Sequence, residues 1–349
     1  MTGPVSTMKS VSTGTPGKVA VQEIERPKAG PEDVVVRIRA CGICGTDTFF
    51  VAAGGMPVSA EERPTVALGH EPAGEVVEVG HAVTDIAVGD HVVINPMTAP
   101  SGLIGTGGPL GGMREYLLVE QAVLGRTLQK VAAQVPFDVA ALNEPMAVAR
   151  HGVNRSEAGP GDKAVVFGAG PIGLGAAIWL KLRGAHVVVV DIVPEKLEKA
   201  LSVSADAVIN SSIEDVHQRL TELHGVATNA LGAPRAGTDI YLDAAGAPQV
   251  IDTTVACAKW GARLVIVAVH KKPVDISGIL RSELTILGSM GYPTELFEVT
   301  PDLADHWERF AKIISHRVPF TEVQHAFDLA LTPGAADKVV VTFPDQAAG

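Results

Sequence analysis

The chain is poor in cysteine, in aromatic residues and in positive charge. Its 349 residues hold three cysteines, Cys41, Cys44 and Cys257. That is too few for a disulfide framework and points to a reducing compartment such as the cytoplasm. Aromatic residues make up 4%, and 28 Lys and Arg face 39 Asp and Glu, for a formal net charge of -11. With no basic cluster and few rings to stack on bases, the composition argues against a nucleic-acid partner. A secretory signal is not expected, because residues 1–14 are rich in Ser, Thr and Gly and lack an apolar stretch. Residues 164–180 are uncharged, but Gly168, Gly170, Pro171, Gly173 and Gly175 interrupt them. A buried strand, turn and helix explains them better than a bilayer span of about 20 residues. Repeats and low-complexity tracts are absent as well.

Apolar residues make up 46% of the chain, and the length suits two domains. The first part reads as mainly β: short runs of Val and Ile around residues 18–39, 74–79, 90–94 and 113–119, separated by Gly and Pro turns. Residues 95–112 are irregular, and 138–153 carry helical spacing. After Gly159-Pro160-Gly161-Asp162 the pattern changes. Apolar strands (164–167, 186–190, 207–209, 239–242, 264–269, 284–287) alternate with helices (172–183, 195–202, 213–224), as in a parallel sheet covered on both faces. Thr300-Pro301 reads as an N-cap and first helical residue of a helix over 301–314. A further helix over 322–331 leads to a closing strand, 338–343, expected to return to the first domain. The expected division is 1–155 and 290–349 for a discontinuous catalytic domain, with 156–289 inserted as a nucleotide domain.

Val165-Val166-Phe167-Gly168-Ala169-Gly170-Pro171-Ile172-Gly173 runs a strand through G-x-G-x-x-G into a helix. Gly168 makes the turn, Gly170 admits the pyrophosphate, Gly173 lets helix and strand pack, and the helix N-terminus offers free N–H groups. The motif alone is weak. Its context strengthens it: an apolar strand precedes, a helix follows, and Asp191 closes the next strand. A carboxylate there accepts both ribose hydroxyls and repels a 2′-phosphate, so NAD is expected over NADP. The alternatives are a strand-end cap for Asp191 and help for a phosphate from Lys196. Val267, Val269, Ser289 and Met290, after the later strands, join the expected cofactor contacts.

Cys41-Gly42-Ile43-Cys44 and Gly69-His70-Glu71 bring thiol, imidazole and carboxylate, the ligand types of a catalytic zinc. A redox dithiol would need a thioredoxin-like setting, and a four-cysteine structural zinc is impossible with three cysteines. Glu144, taken alone, reads more readily as a helix N-terminal acid than as a ligand. His81, His91, His151, His186, His217, His224 and Cys257 read as turn, surface or packing residues.

Gly69-His70-Glu71-x-x-Gly74, followed by Gly80, Val83 and Val88-Gly89-Asp90-His91-Val92, resembles the zinc signature of medium-chain alcohol dehydrogenases. The resemblance extends over nearly the whole chain from about Lys18, with the polyol, butanediol and threonine dehydrogenase branch nearest. It implies an α/β fold: a mainly β, GroES-like catalytic domain plus a Rossmann domain with a doubly wound parallel sheet. It implies Cys44 and His70 as zinc ligands and Cys41 as a packing cysteine. Asn143-Glu144-Pro145-Met146 resembles the branch's Glu-Pro segment. Glu144 would then be the third ligand and Glu71 an exchangeable carboxylate. Asp47 would accept from the second nitrogen of His70. Thr46 would take the alcohol proton while hydride passes to the nicotinamide. A homodimer or homotetramer is implied, as the strand before Ser289 pairs across a dimer in relatives.

The chain departs from the family pattern at three places. Phe49 stands where many relatives end their proton relay with a histidine. Residues 95–112 have no cysteine where relatives hold a structural zinc, so one zinc is expected. Ser289-Met290-Gly291-Tyr292-Pro293 has Gly where sorbitol dehydrogenases have Arg. With Phe49, Met113 and Met290 as an apolar lining, a small secondary alcohol, vicinal diol, polyol or hydroxyketone is the expected substrate. The competing readings are a zinc-independent NADPH quinone or enoyl reductase of the same fold and a non-catalytic NAD-binding protein.

Overall fold

The computed structural model describes residues 6–56 and 64–344. The first five residues of the segment read above as lacking a secretory signal lie outside them. Two units emerge: one within Met1–Glu144 and Leu296–Gly349, the other within Pro145–Glu295.

The first unit is built on a sheet in the order His316–Pro319, Val339–Thr342, Val34–Gly42, Glu71–Val79, His91–Ile94, Leu128–Lys130, with Tyr116–Val119 also paired to Val34–Gly42. A smaller sheet joins Lys18–Glu25, Thr7–Thr15 and Val66–Ala67. Val34–Gly42 organises the unit. Val34, Val35 and Val36 have no exposed surface, so both faces of the strand are covered, as expected when successive side chains point to opposite faces. The closing strand returns as read from the sequence: Val339–Thr342 lies antiparallel to Val34–Gly42, with Val340 opposite Gly42 and Val341 opposite Cys41.

The second unit carries a six-stranded sheet ordered Ala207–Asn210, His186–Asp191, Lys163–Phe167, Ile240–Asp243, Arg263–Ile266, Thr285–Gly288. Every pairing is parallel. In chain order this is 3-2-1-4-5-6, the doubly wound dinucleotide-binding topology. Val187, Val188 and Val189 are all fully buried, which explains the uninterrupted Val run. Burying each contributes roughly 1.5 kcal/mol or more.

Some local expectations are corrected. Residues 138–153 are not one helix but two, Phe137–Ala140 and Asn143–Arg155. Pro145 has no N–H with which to continue the first helix's hydrogen-bond ladder, and it suits the first turn of a new one. Thr300 does not cap a helix over 301–314. The helix is Glu295–Asp305 with Pro301 inside it, and Trp307–Ala311 follows separately. The Thr300 hydroxyl is spent elsewhere: it donates to Asn143 Oδ1 at 2.8 Å. The polar helix begins at Val216, not residue 213, because Asp215 caps it by accepting from Gln218 N–H at 2.7 Å. Among the described residues no helix is long and apolar enough to cross a membrane.

Candidate metal centre and nucleotide turn

Two neighbouring strands carry the donor residues. Val34–Gly42 leads through Ile43 to Cys44, the N-cap of helix Gly45–Ala53. His70 directly precedes Glu71–Val79, whose register sets Glu71 opposite Gly42. The ligating atoms of Cys44, His70 and Glu71 consequently lie within 4.8 Å of one another.

Asp47 ties the two segments. Fully buried, it accepts from Cys44 N–H at 3.0 Å with Oδ2 and from Gly69 N–H at 2.9 Å with Oδ1. The expected bond from His70 to Asp47 is not made: His70 Nδ1 stands 3.7 Å from Asp47 Oδ2, beyond hydrogen-bond range.

Negative charge converges on this pocket. Burial opposes a charged His70, yet Asp47, Cys44 and Glu144 outweigh it and push the imidazole pKa well up. Glu144, in the first turn of its helix, is 9% exposed. It acts on His70 and Lys338 through its charge but lies outside the close donor set. Burial, reinforced by Asp47 and Glu71, pushes the Cys41 thiol well up, so it stays protonated and packs. A site that recruits a proton to offset surplus anions, with His70 Nδ1 buried and unpartnered, is suited to a divalent cation. Thiolate, imidazole and carboxylate are the donor set for zinc.

Around the donors, Thr46 Oγ1 lies 3.9 Å from Cys44 Sγ. Phe49 is 54% exposed. Met113 is corrected: it is fully buried in the hydrophobic core and lines no open surface. Its N–H donates to Leu68 carbonyl, and its carbonyl accepts from Val11 N–H, which turns the side chain inward. Lys338, read only as the start of a strand, is the residue that sequence reasoning missed. Its ammonium is 3% exposed and bonds Glu71. Burial disfavours its charge, but Glu71 and Cys44 hold its pKa above the usual lysine value.

In the second unit the glycine turn has the expected form. Gly168 has φ of 93°, a conformation that side chains disfavour. A Cβ on Gly173 would sit 1.8 Å from Gly168 carbonyl oxygen. Gly170 is the N-cap of Pro171–Leu182 and has open space around its Cβ position. Ile172 lies in that helix's first turn. Asp191 Oδ2 accepts from Ala169 N–H at 2.7 Å, and Oδ1 accepts from Ile192 N–H at 2.7 Å and Val193 N–H at 3.0 Å. It is thus a strand-end cap that still has lone pairs to offer. Lys196 lies in helix Pro194–Val203. Val267 N–H donates to Asp243 carbonyl, Val269 and Met290 are largely exposed, and Ser289 Oγ is buried without a partner. A second pair went unread in the sequence: His270 Nε2 and Asp243 Oδ2 lie 2.6 Å apart, at the carboxyl end of the sheet.

Comparisons with known proteins identify the family. Residues 30–128 match the alcohol dehydrogenase GroES-like domain, and residues 171–306 match the zinc-binding dehydrogenase domain. An (R,R)-butanediol dehydrogenase of Neisseria gonorrhoeae is 33% identical over 82% of this chain and 84% of its own. The crystal structure of 2R,3R-butanediol dehydrogenase from Bacillus subtilis superposes with a TM-score of 0.83 at 29% identity, covering 97% of this chain and all of that one. A putative zinc-binding dehydrogenase from Sinorhizobium meliloti, bound to NADP, gives 0.81 at 29% identity, covering 97% and 99%. The zinc-independent reductase reading is not favoured by these relatives. The chain is a dehydrogenase that belongs to the zinc-containing alcohol dehydrogenase family.

Proposed function

We propose that the protein transfers hydride between NAD and a small secondary alcohol, with a vicinal diol or the matching hydroxyketone as the preferred substrate, at one zinc ion per chain. The observation that carries this reading is the Cys44, His70 and Glu71 donor cluster in a chain of this family. Cys44 and His70 would hold the ion together with a carboxylate, Glu144 as the resident ligand and Glu71 as an exchanging one. When bound, zinc supplies Lewis acidity that lowers the pKa of a hydroxyl beside it. Thr46, near Cys44, would take the substrate proton. Phe49 offers an apolar surface in place of a relay histidine, so the proton leaves by another route. The N–H groups of Gly170, Ile172 and Gly173 would bind the pyrophosphate, and Asp191 the adenosine ribose.

NAD is favoured over NADP because the Asp191 carboxylate would face a 2′-phosphate with like charge. The butanediol dehydrogenases among the relatives, and Gly291 where the sorbitol pattern has Arg, favour a diol over a sugar alcohol. Absence of cysteine from residues 95–112 favours a single zinc. Thr285–Gly288 is an edge strand of its sheet, suited to pairing in a homodimer or homotetramer. Free cysteines fit a cytoplasmic setting.

Zinc analysis of washed protein, with NAD- and NADP-linked rates on 2,3-butanediol, sorbitol, xylitol and threonine, tests the reading. One zinc per chain and chelator-sensitive, NAD-linked oxidation of 2,3-butanediol are expected. Full activity in zinc-free protein, two zincs per chain, or a higher kcat/KM for sorbitol would overturn it.

A further inference from the structure

Glu71 sits in the donor cluster with both of its oxygens already engaged. Lys338 Nζ donates to Glu71 Oε1 at 2.7 Å, to Glu71 Oε2 at 2.5 Å and to Ile43 carbonyl at 3.0 Å. An ammonium has three donors, so Lys338 is fully satisfied by this one arrangement. Lys338 and Glu71 are 3% and 2% exposed, and water does not compete for either.

The lysine is fixed from behind. Its N–H donates to Ser315 Oγ at 3.1 Å, and its carbonyl accepts from Ser315 N–H at 2.9 Å and Ser315 Oγ at 3.0 Å. The next residue, Val339, accepts from Ile43 N–H and enters the sheet beside Val34–Gly42. Gly42 closes the remaining space: a Cβ there would lie 1.8 Å from Glu71 Oε2 and 3.1 Å from Lys338 Cε. If Glu71 swung toward the other donors, Lys338 could not follow. A buried ammonium would be left with one carbonyl, a costly arrangement. A carboxylate that gives both oxygens to an ammonium is also a weaker donor to a cation.

We infer that Lys338 is a positioning residue that withholds Glu71 from the metal's resident ligand set and keeps it poised beside the ion as an exchange ligand. Glu71, although it belongs to the close donor set with Cys44 and His70, is thereby kept out of the resident set that the zinc reading gives to Glu144. This inference rests on the zinc reading above and adds to it the choice of ligand.

Cobalt-substituted protein tests it, because the visible d–d bands report coordination number independently of turnover. In K338M the freed Glu71 joins the metal. The bands weaken as coordination number rises, and zinc release to a chelator changes by about tenfold. In the double variant E71Q/K338M, two uncharged side chains of similar size replace the pair. That variant keeps one cobalt per chain, the wild-type spectrum and the wild-type zinc content. A wild-type spectrum and wild-type zinc release in folded K338M would overturn the inference. So would lost metal or an altered spectrum in the double variant, which would make Glu71 a resident ligand. If K338M does not fold, the double variant decides alone. A wild-type protein that binds neither zinc nor cobalt would instead overturn the zinc reading.

Discussion

Asp47 Oδ1 accepts the Gly69 N–H at 2.9 Å while Oδ2 accepts the Cys44 N–H at 3.0 Å. One buried side chain thereby fixes the backbone on either side of the donor cluster. Glycine at position 69, with φ of 86°, lets its N–H turn toward the carboxylate.

Replacing Asp47 by Ala leaves the buried Gly69 N–H and the partly buried Cys44 N–H unpaired, at roughly 1–3 kcal/mol each. We expect D47A to lower the urea midpoint by a loss of about 2–5 kcal/mol and to weaken zinc binding about 10- to 100-fold. D47N keeps one acceptor and should fall between. Equilibrium unfolding and zinc retention on dialysis measure both. A D47A protein with wild-type stability and zinc would remove Asp47 from this role.

Gly173 packs against the carbonyl of Gly168. In G173A the new methyl would meet that oxygen at 1.8 Å, so helix and turn must separate, at about 1–3 kcal/mol. The expected outcome is weaker NAD binding by quenching of protein fluorescence, with zinc content unchanged. Unaltered NAD affinity would show that the turn tolerates the shift.

Asp191 should set cofactor preference. In D191S the like charge facing a 2′-phosphate is gone, together with hydrogen bonds to a charged acceptor worth about 1.5–3 kcal/mol. We expect kcat/KM for NAD to drop about 10- to 100-fold and activity with NADP to rise. Steady-state rates with both cofactors decide, and a variant that still rejects NADP would place the selectivity elsewhere.

His224 gives the second unit a pH dependence. Burial, with His186 and Lys163 nearby, lowers its pKa from 6.5 to about 4. Its Nδ1 lies 2.8 Å from Thr238 Oγ1, and its Nε2 is buried without a partner. The folded state holds it neutral, so between pH 6.5 and about 4 the unfolded chain binds more protons. Stability is full above pH 6.5 and falls as pH drops through that window, by about 3 kcal/mol for this group. Urea midpoints at pH 7.5, 6 and 4.5 for wild type and H224Q measure it. H224Q should flatten the slope, and an unchanged slope would exclude His224 as its source.

The alternation of Val and Ile runs with helices was legible in the sequence, and with it the parallel sheet and its glycine turn. Buried strands need apolar side chains on both faces, as at Val187 to Val189, and Gly173 is demanded by a contact only five residues away. Helix ends were less legible. Thr300 has the chemistry of a cap, but its hydroxyl bonds Asn143. Met113 looked available to a substrate, and the core absorbed it.

The sequence by itself determined the two donor-bearing segments around Cys44 and His70, the nucleotide turn from Gly168 to Gly173 and the discontinuity of the first unit. These depend on local spacing and periodicity, which the order of residues contains. Tertiary structure alone decided that Asp47 serves backbone rather than His70, and that Lys338 neutralises Glu71. Those two residues are 267 positions apart. Whether a buried carboxylate is free to bind a metal depends on which cation the fold brings to it, and no local pattern encodes that meeting.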